Sequence, residues 1–177
     1  ADLRRCLDEH GPFDAVTLVS NETSTGTRTD LGSVSDVLDD FPGTQLFVDL
    51  VSYIAGAPVD FDVNRLDFGL AGVQKAFALP PGIGVCCVSE RYLEGARKAT
   101  NRGFYLDPVS FIDGHTKNKT PSTPAIGLYY ALAKQLEDIS SGATLPKCDA
   151  GKTGAAAWQA RFAKHKRMQE RTATWAT

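Results

Sequence analysis

One side chain in this sequence, Lys75, could carry covalent chemistry, and a carboxylate upstream, Asp49, could support it. Lys75 follows an apolar run, Phe68 to Val73, and precedes the turn-forming string Pro80-Pro81-Gly82. Flanked by Val73, Ala76, Phe77 and Leu79, its amine is expected to be partly desolvated. A desolvated lysine gives up its proton more readily and can then form a Schiff base with a carbonyl. The plainer arrangement is a stem laid on apolar surface with its ammonium in water. Asp49 stands 26 residues upstream, inside a Leu-, Val- and Phe-rich stretch at 45–51 that reads as a buried strand. A carboxylate there is costly unless a cation or hydrogen-bond donors meet it. A turn or capping carboxylate near the strand end is the alternative.

A protonated pyridine nitrogen is one such cation, and pyridoxal phosphate joins it to an aldehyde that a lysine can hold. Three strings give that chemistry a context: Asn21-Glu22-Thr23-Ser24-Thr25-Gly26, Val48-Asp49-Leu50-Val51-Ser52 and Gly72-Val73-Gln74-Lys75. Together, in this order, they resemble the class V aminotransferases of fold type I, in particular the alanine–glyoxylate, serine–glyoxylate and phosphoserine aminotransferase branch. The resemblance runs from about Phe13 to Trp158. It implies that Lys75 forms the Schiff base with pyridoxal 5'-phosphate and shuttles a proton, and that Asp49 pairs with the ring nitrogen. It further implies that Val51 packs on one ring face, Thr23 bonds near the ring hydroxyl and Gln74 contacts the phosphate. Cysteine desulfurases of the same class usually carry a His where Gln74 stands, which favours transamination. The substrates implied are an amino acid such as alanine, serine or phosphoserine and a 2-oxo acid such as glyoxylate.

The elements that must position these residues follow from pattern. Residues 1–11 read as a helix closed by Gly11, and 14–20 as a Val/Leu-rich strand covered on both faces. The loop Asn21 to Arg28 lies at that strand's C-terminal end, where open α/β sheets bind ligands. A short helix over 33–41, the Asp49 strand, a Gly/Pro turn at 56–58, an extended run into Lys75 and a strand over 83–88 come next. Ser89 should cap a helix running to about Asn101, and residues 104–120 read as irregular. Thr123 and Pro124 should open an amphipathic helix bearing Ile126, Tyr129, Leu132, Ala133, Leu136 and Ile139 on one face. By the resemblance, a hydroxyl before this helix, from Thr120, Ser122 or Thr123, reaches the phosphate in the neighbouring subunit of a homodimer. A last long helix spans 152–176, with Trp158, Phe162, His165, Thr172 and Trp175 towards one side. Its basic run of Arg161, Lys164, Lys166, Arg167 and Arg171 reads as a solvated face.

The fold class expected is α/β, a three-layer α/β/α arrangement with a mainly parallel sheet. By the resemblance, residues 1–150 are the C-terminal part of a pyridoxal-phosphate-binding large domain, and 151–177 a helix leading towards a small domain. Family chains are substantially longer, so this reads as an internal fragment, inert alone, with a non-catalytic α/β module as the alternative. A net charge of −2 gives no electrostatic case for nucleic acid, and no apolar run has membrane-spanning length. Cys6, Cys86, Cys87 and Cys148 lack metal or disulfide spacing and read as free thiols in a reducing, cytoplasmic setting, with no metal expected.

Overall fold

In the computed structural model, which describes residues 2–176, the chain opens with helix α1, Asp2–His10. Strand β1, Ala15–Val19, leads into a hairpin of two short strands, β2 Asn21–Glu22 and β3 Thr27–Arg28. Helix α2, Leu31–Leu38, starts two residues earlier than the pattern suggests because Asp30 caps it, accepting from the Gly32 N–H at 3.1 Å and the Ser33 hydroxyl at 2.7 Å. Strands β4, Gln45–Asp49, β5, Phe68–Gly72, and β6, Gly84–Val88, follow. Helices α3, Glu90–Lys98, α4, Pro108–His115, α5, Ile126–Ser140, and α6, Gly154–Ala176, complete the order.

The four long strands form one sheet in the order β1-β4-β5-β6. β1, β4 and β5 run parallel; β6 returns antiparallel to β5 and forms the outer edge. Side chains alternate across the pleat. Leu46, Val48 and Ala71 enter the core with Leu7 of α1 and Leu31 and Leu38 of α2. On the opposite face Phe47 and Phe68 pack with Tyr92 of α3, ring centroids 5.4 to 5.7 Å apart. Helices therefore cover both faces of a mainly parallel sheet, as expected. β1 departs from expectation: Thr17 and Val19 are exposed, so this strand is covered on one face only.

A buried carboxylate that no motif flagged holds the strand starts together. Asp67, 2% exposed, precedes β5 and accepts from the Leu46 N–H at 2.9 Å, the Ser89 hydroxyl at 2.7 Å and Arg91 Nε at 2.9 Å. Arg91 Nη2 completes a fork onto the same carboxylate. Burial raises its pKa, but the bonds from Arg91, Leu46 and Ser89 and the Arg91 charge overcome that and hold the carboxyl below the ordinary range. One side chain thus joins the starts of β4, β5 and α3.

Three boundaries differ for identifiable reasons. The α5 helix begins at Ile126, not at Pro124, and Thr123 does not cap it. Pro124 disfavours helical backbone at Thr123, and its carbonyl accepts the Ile126 N–H at 2.9 Å, which delays the first helical turn. The stretch expected to be irregular contains α4, capped by Asp107 through the Val109 N–H at 3.0 Å with Pro108 in the first turn. α3 stops at Lys98, three residues before Asn101. No described helix is long and apolar enough to cross a membrane. All four cysteines are free and exposed.

Candidate active site at the strand ends

The parallel strands deliver the candidate residues to one edge. β1 ends at Val19 and runs through Ser20 into the hairpin carrying Thr23; β4 ends at Asp49, and Val51 and Ser52 follow; β5 ends at Gly72, and Gln74 and Lys75 stand in the next turn. These are the C-terminal ends of neighbouring parallel strands, where a ligand crevice forms in an open α/β sheet. Asp49 is the last residue of its strand, half-buried, and does not sit mid-strand as the pattern suggested. It lies in register with Val19 and Leu70, side chains that are 41% and 39% exposed.

Asp49 is tightly set. Its Oδ1 accepts the Val51 N–H at 2.8 Å, while its backbone carbonyl accepts from the N–H of buried Ser20 at 3.0 Å and from the Ser20 hydroxyl at 2.8 Å. Among the described residues nothing donates to its second carboxylate oxygen, which is free to meet a cation. Thr23 is bonded to Ser52, Oγ to Oγ at 2.7 Å, which joins the hairpin directly to the Asp49 loop. Glu22 shapes that hairpin by accepting from the Ser24 N–H and hydroxyl at 2.8 and 2.7 Å, and these bonds lower its pKa. The Arg28 guanidinium lies 5.0 Å over the ring of buried Tyr53, a second tie between the same two loops.

The expectation that Lys75 is desolvated does not hold for this chain: Lys75 and Gln74 are both exposed. The apolar neighbours that suggested burial point elsewhere. Val73 is 0% and Phe77 6% exposed, and with Ala55 and Leu132 they form a separate core beneath the turn. The lysine's backbone is held firmly, its carbonyl accepting the Ala78 N–H at 2.8 Å. The Gln74 amide folds back over Gly72, where a Cβ would stand 2.8 Å from Nε2. Ala55 and Ala78 adopt left-handed backbone, φ 64° and 59°. Such conformations cost about 1–2 kcal/mol per residue and gather at functional loops.

Thr120, Ser122 and Thr123 are exposed on the α4–α5 connection, and none hydrogen-bonds to the strand-end residues. Arg102 is committed to the Asp107 cap at 2.9 Å and to the Ala99 carbonyl at 2.7 Å. Sequence reasoning missed Ser52, visible only as the last letter of the Asp49 string. It also mistook Arg161, read as part of a solvated face. Arg161 is 7% exposed; its Nε donates to the Ala55 carbonyl at 2.8 Å and its Nη2 donates to the Ala76 carbonyl. Burial lowers its pKa.

Fold and site together define an open α/β domain whose strand ends offer a free carboxylate, a hydroxyl pair and an accessible amine. Residues 7–158 match the family described as Aminotransferase class-V, and the chain belongs to that family. It is 38% identical over 136 residues to the serine–glyoxylate aminotransferase of Methylorubrum extorquens, covering 73% of this chain and 34% of that protein. It is 36% identical over 137 residues to an uncharacterized aminotransferase of Methanocaldococcus jannaschii, covering 76% and 35%. The crystal structure of an alanine–glyoxylate aminotransferase from Nostoc sp. superposes with a TM-score of 0.74 at 30% identity, covering 89% of this chain and 40% of that one. The chain thus spans about a third to two fifths of the length of these relatives.

Proposed function

We propose that the protein is a pyridoxal-phosphate-dependent aminotransferase, moving an amino group from an amino acid such as alanine, serine or phosphoserine to a 2-oxo acid such as glyoxylate. The observation that carries this reading is the shared edge: the Asp49 carboxylate with one oxygen free, beside a turn that presents the Lys75 amine. When bound, the cofactor supplies an electron sink for the carbanion that forms beside the substrate amine. Asp49 keeps the ring nitrogen protonated, and the Val51 N–H holds that carboxylate in one orientation. Thr23, backed by Ser52, donates near the ring hydroxyl, and Val51 supplies apolar contact to one ring face. Lys75 would hold the cofactor's aldehyde through its Nζ, and the same amine would carry the proton that transamination moves. Gln74 contacts the phosphate. Thr120, Ser122 or Thr123 extends a hydroxyl to the phosphate of the second subunit in a homodimer, and residues 1–150 form the cofactor-binding part to which 151–177 adds a helix. The free, exposed cysteines fit a reducing, cytoplasmic setting.

The test is the visible absorbance of the full-length protein with added pyridoxal phosphate, followed by borohydride reduction and peptide mapping. The label is expected on Lys75 and absent from Lys75→Ala. Because Lys75 is exposed, that variant should keep its stability within about 0.5 kcal/mol. Equal labelling of the variant would mark adventitious capture by surface lysines and overturn the reading.

A further inference from the structure

The loops bearing Lys75 and Asp49 are joined by a residue from far along the chain. Arg161, on the second turn of α6, donates from Nε to the Ala55 carbonyl at 2.8 Å and from Nη2 to the Ala76 carbonyl. Ala76 directly follows Lys75, and Ala55 lies in the loop that begins with Asp49, Val51 and Ser52. Among the described residues no carboxylate pairs with this guanidinium. A buried cation without an anion is a poor device for stability alone, since apolar side chains of similar size commonly serve packing better. Its planar fork, by contrast, fixes the direction and separation of two acceptors. Both acceptors belong to segments with an alanine in left-handed backbone, Ala55 itself and Ala78, so each carbonyl is presented by a loop that needs external support. His165, one turn further along α6, lies behind the same loop, its Nδ1 4.0 Å from where a Gly56 Cβ would stand.

We propose that Arg161 is a positioning residue: it locks the Lys75 turn to the Asp49 loop, so that amine and carboxylate keep one separation and the site depends on the docking of α6. The proposal rests on the reading of Lys75 as the cofactor-bearing lysine.

The experiment uses the full-length protein and three variants. Arg161→Met keeps length and packing without donors; Arg161→Lys keeps the charge but cannot span both carbonyls. Asp67→Asn serves as a control, breaking the buried fork with Arg91 at the strand starts, away from both loops. Three quantities are read: the urea midpoint, the borohydride-trapped pyridoxal phosphate on Lys75 at limiting cofactor, and amide exchange over residues 53–57 and 73–79 without cofactor. Arg161→Met should trap roughly tenfold less at Lys75 and exchange faster in both loops, with Arg161→Lys in between. Asp67→Asn should lower the midpoint and leave trapping at Lys75 unchanged. Wild-type trapping and exchange in Arg161→Met overturn the positioning role alone. Should Arg161→Met not fold, wild-type trapping in Arg161→Lys overturns it. Should the wild type trap nothing at Lys75, the cofactor reading falls and the positioning role with it.

Discussion

Replacing Asp67 with Asn tests whether the strand starts are held by a charge or by shape. Each carboxylate oxygen takes two donors: Oδ1 the Ser89 hydroxyl and Arg91 Nε, Oδ2 the Leu46 N–H and Arg91 Nη2. An amide fills the same space but turns an NH2 towards one of those pairs, whichever way it is rotated. Breaking a buried ion pair from one side costs about 3–5 kcal/mol. The Asp67 side chain is 3% exposed but that of Arg91 is 38%, so the released arginine rehydrates and the cost falls to the lower end, about 3 kcal/mol. In a chain of this size that corresponds to a fall in melting temperature of roughly 6–12 °C. Urea unfolding of both proteins at pH 7 measures the gap, and repetition at acid pH tests its origin. Because the folded pKa of Asp67 lies below the unfolded value near ~3.9, its contribution is complete above that value and lost as pH falls through the folded one. The gap should therefore close below roughly pH 4. A gap under about 1 kcal/mol at pH 7, or one that persists unchanged in acid, would refute the reasoning.

Three further outcomes are expected. Ser20→Ala removes a buried hydroxyl from the Asp49 carbonyl and should cost about 1 kcal/mol by urea unfolding, since the Ser20 N–H still serves the same oxygen. Gly142, at φ 79° after the α5 helix, would place a Cβ against the Lys152 carbonyl, so Gly142→Ala should cost about 1–3 kcal/mol, read by thermal melting. Burial, and then the charges of Arg161 and Lys164, push the His165 pKa below its usual value. The unfolded chain then takes up the proton first, so wild-type stability should drop as pH falls from about 6.5, whereas His165→Gln should lose that dependence in urea midpoints at pH 5 and 7.5.

What could be read from the chain was what is local. The Val- and Leu-rich strands, the Ser89 cap and the order of Thr23, Asp49 and Lys75 are patterns within a few residues. Asp67 and Arg161 were illegible for a common reason: their partners lie far away in sequence, and those of Arg161 are backbone carbonyls. A carbonyl such as that of Ala55 or Ala76 leaves no signature in residue type, so Arg161 looked like any cation in a basic helix. The reverse error occurred at Lys75, whose apolar neighbours promised burial. In a turn, consecutive side chains diverge, and Val73 and Phe77 go inward while the lysine goes out. The α4 helix did have a signal, Asp107 followed by Pro108, a capping residue and a first-turn proline, but its periodicity was too weak to draw notice.

β6 gives the sheet an outer strand whose sequence, Gly-Val-Cys-Cys-Val, contains no charge and no proline. Natural sheets usually guard such a border with a lysine, a proline or a bulge. An unguarded row of N–H and C=O groups is a template on which another extended segment can align, in either direction and from any molecule. β6 therefore makes this part of the protein adhesive wherever nothing else is laid against it. Its two thiols would turn a passing alignment into a covalent one under oxidising conditions, so handling in reductant and at low concentration follows from the strand itself.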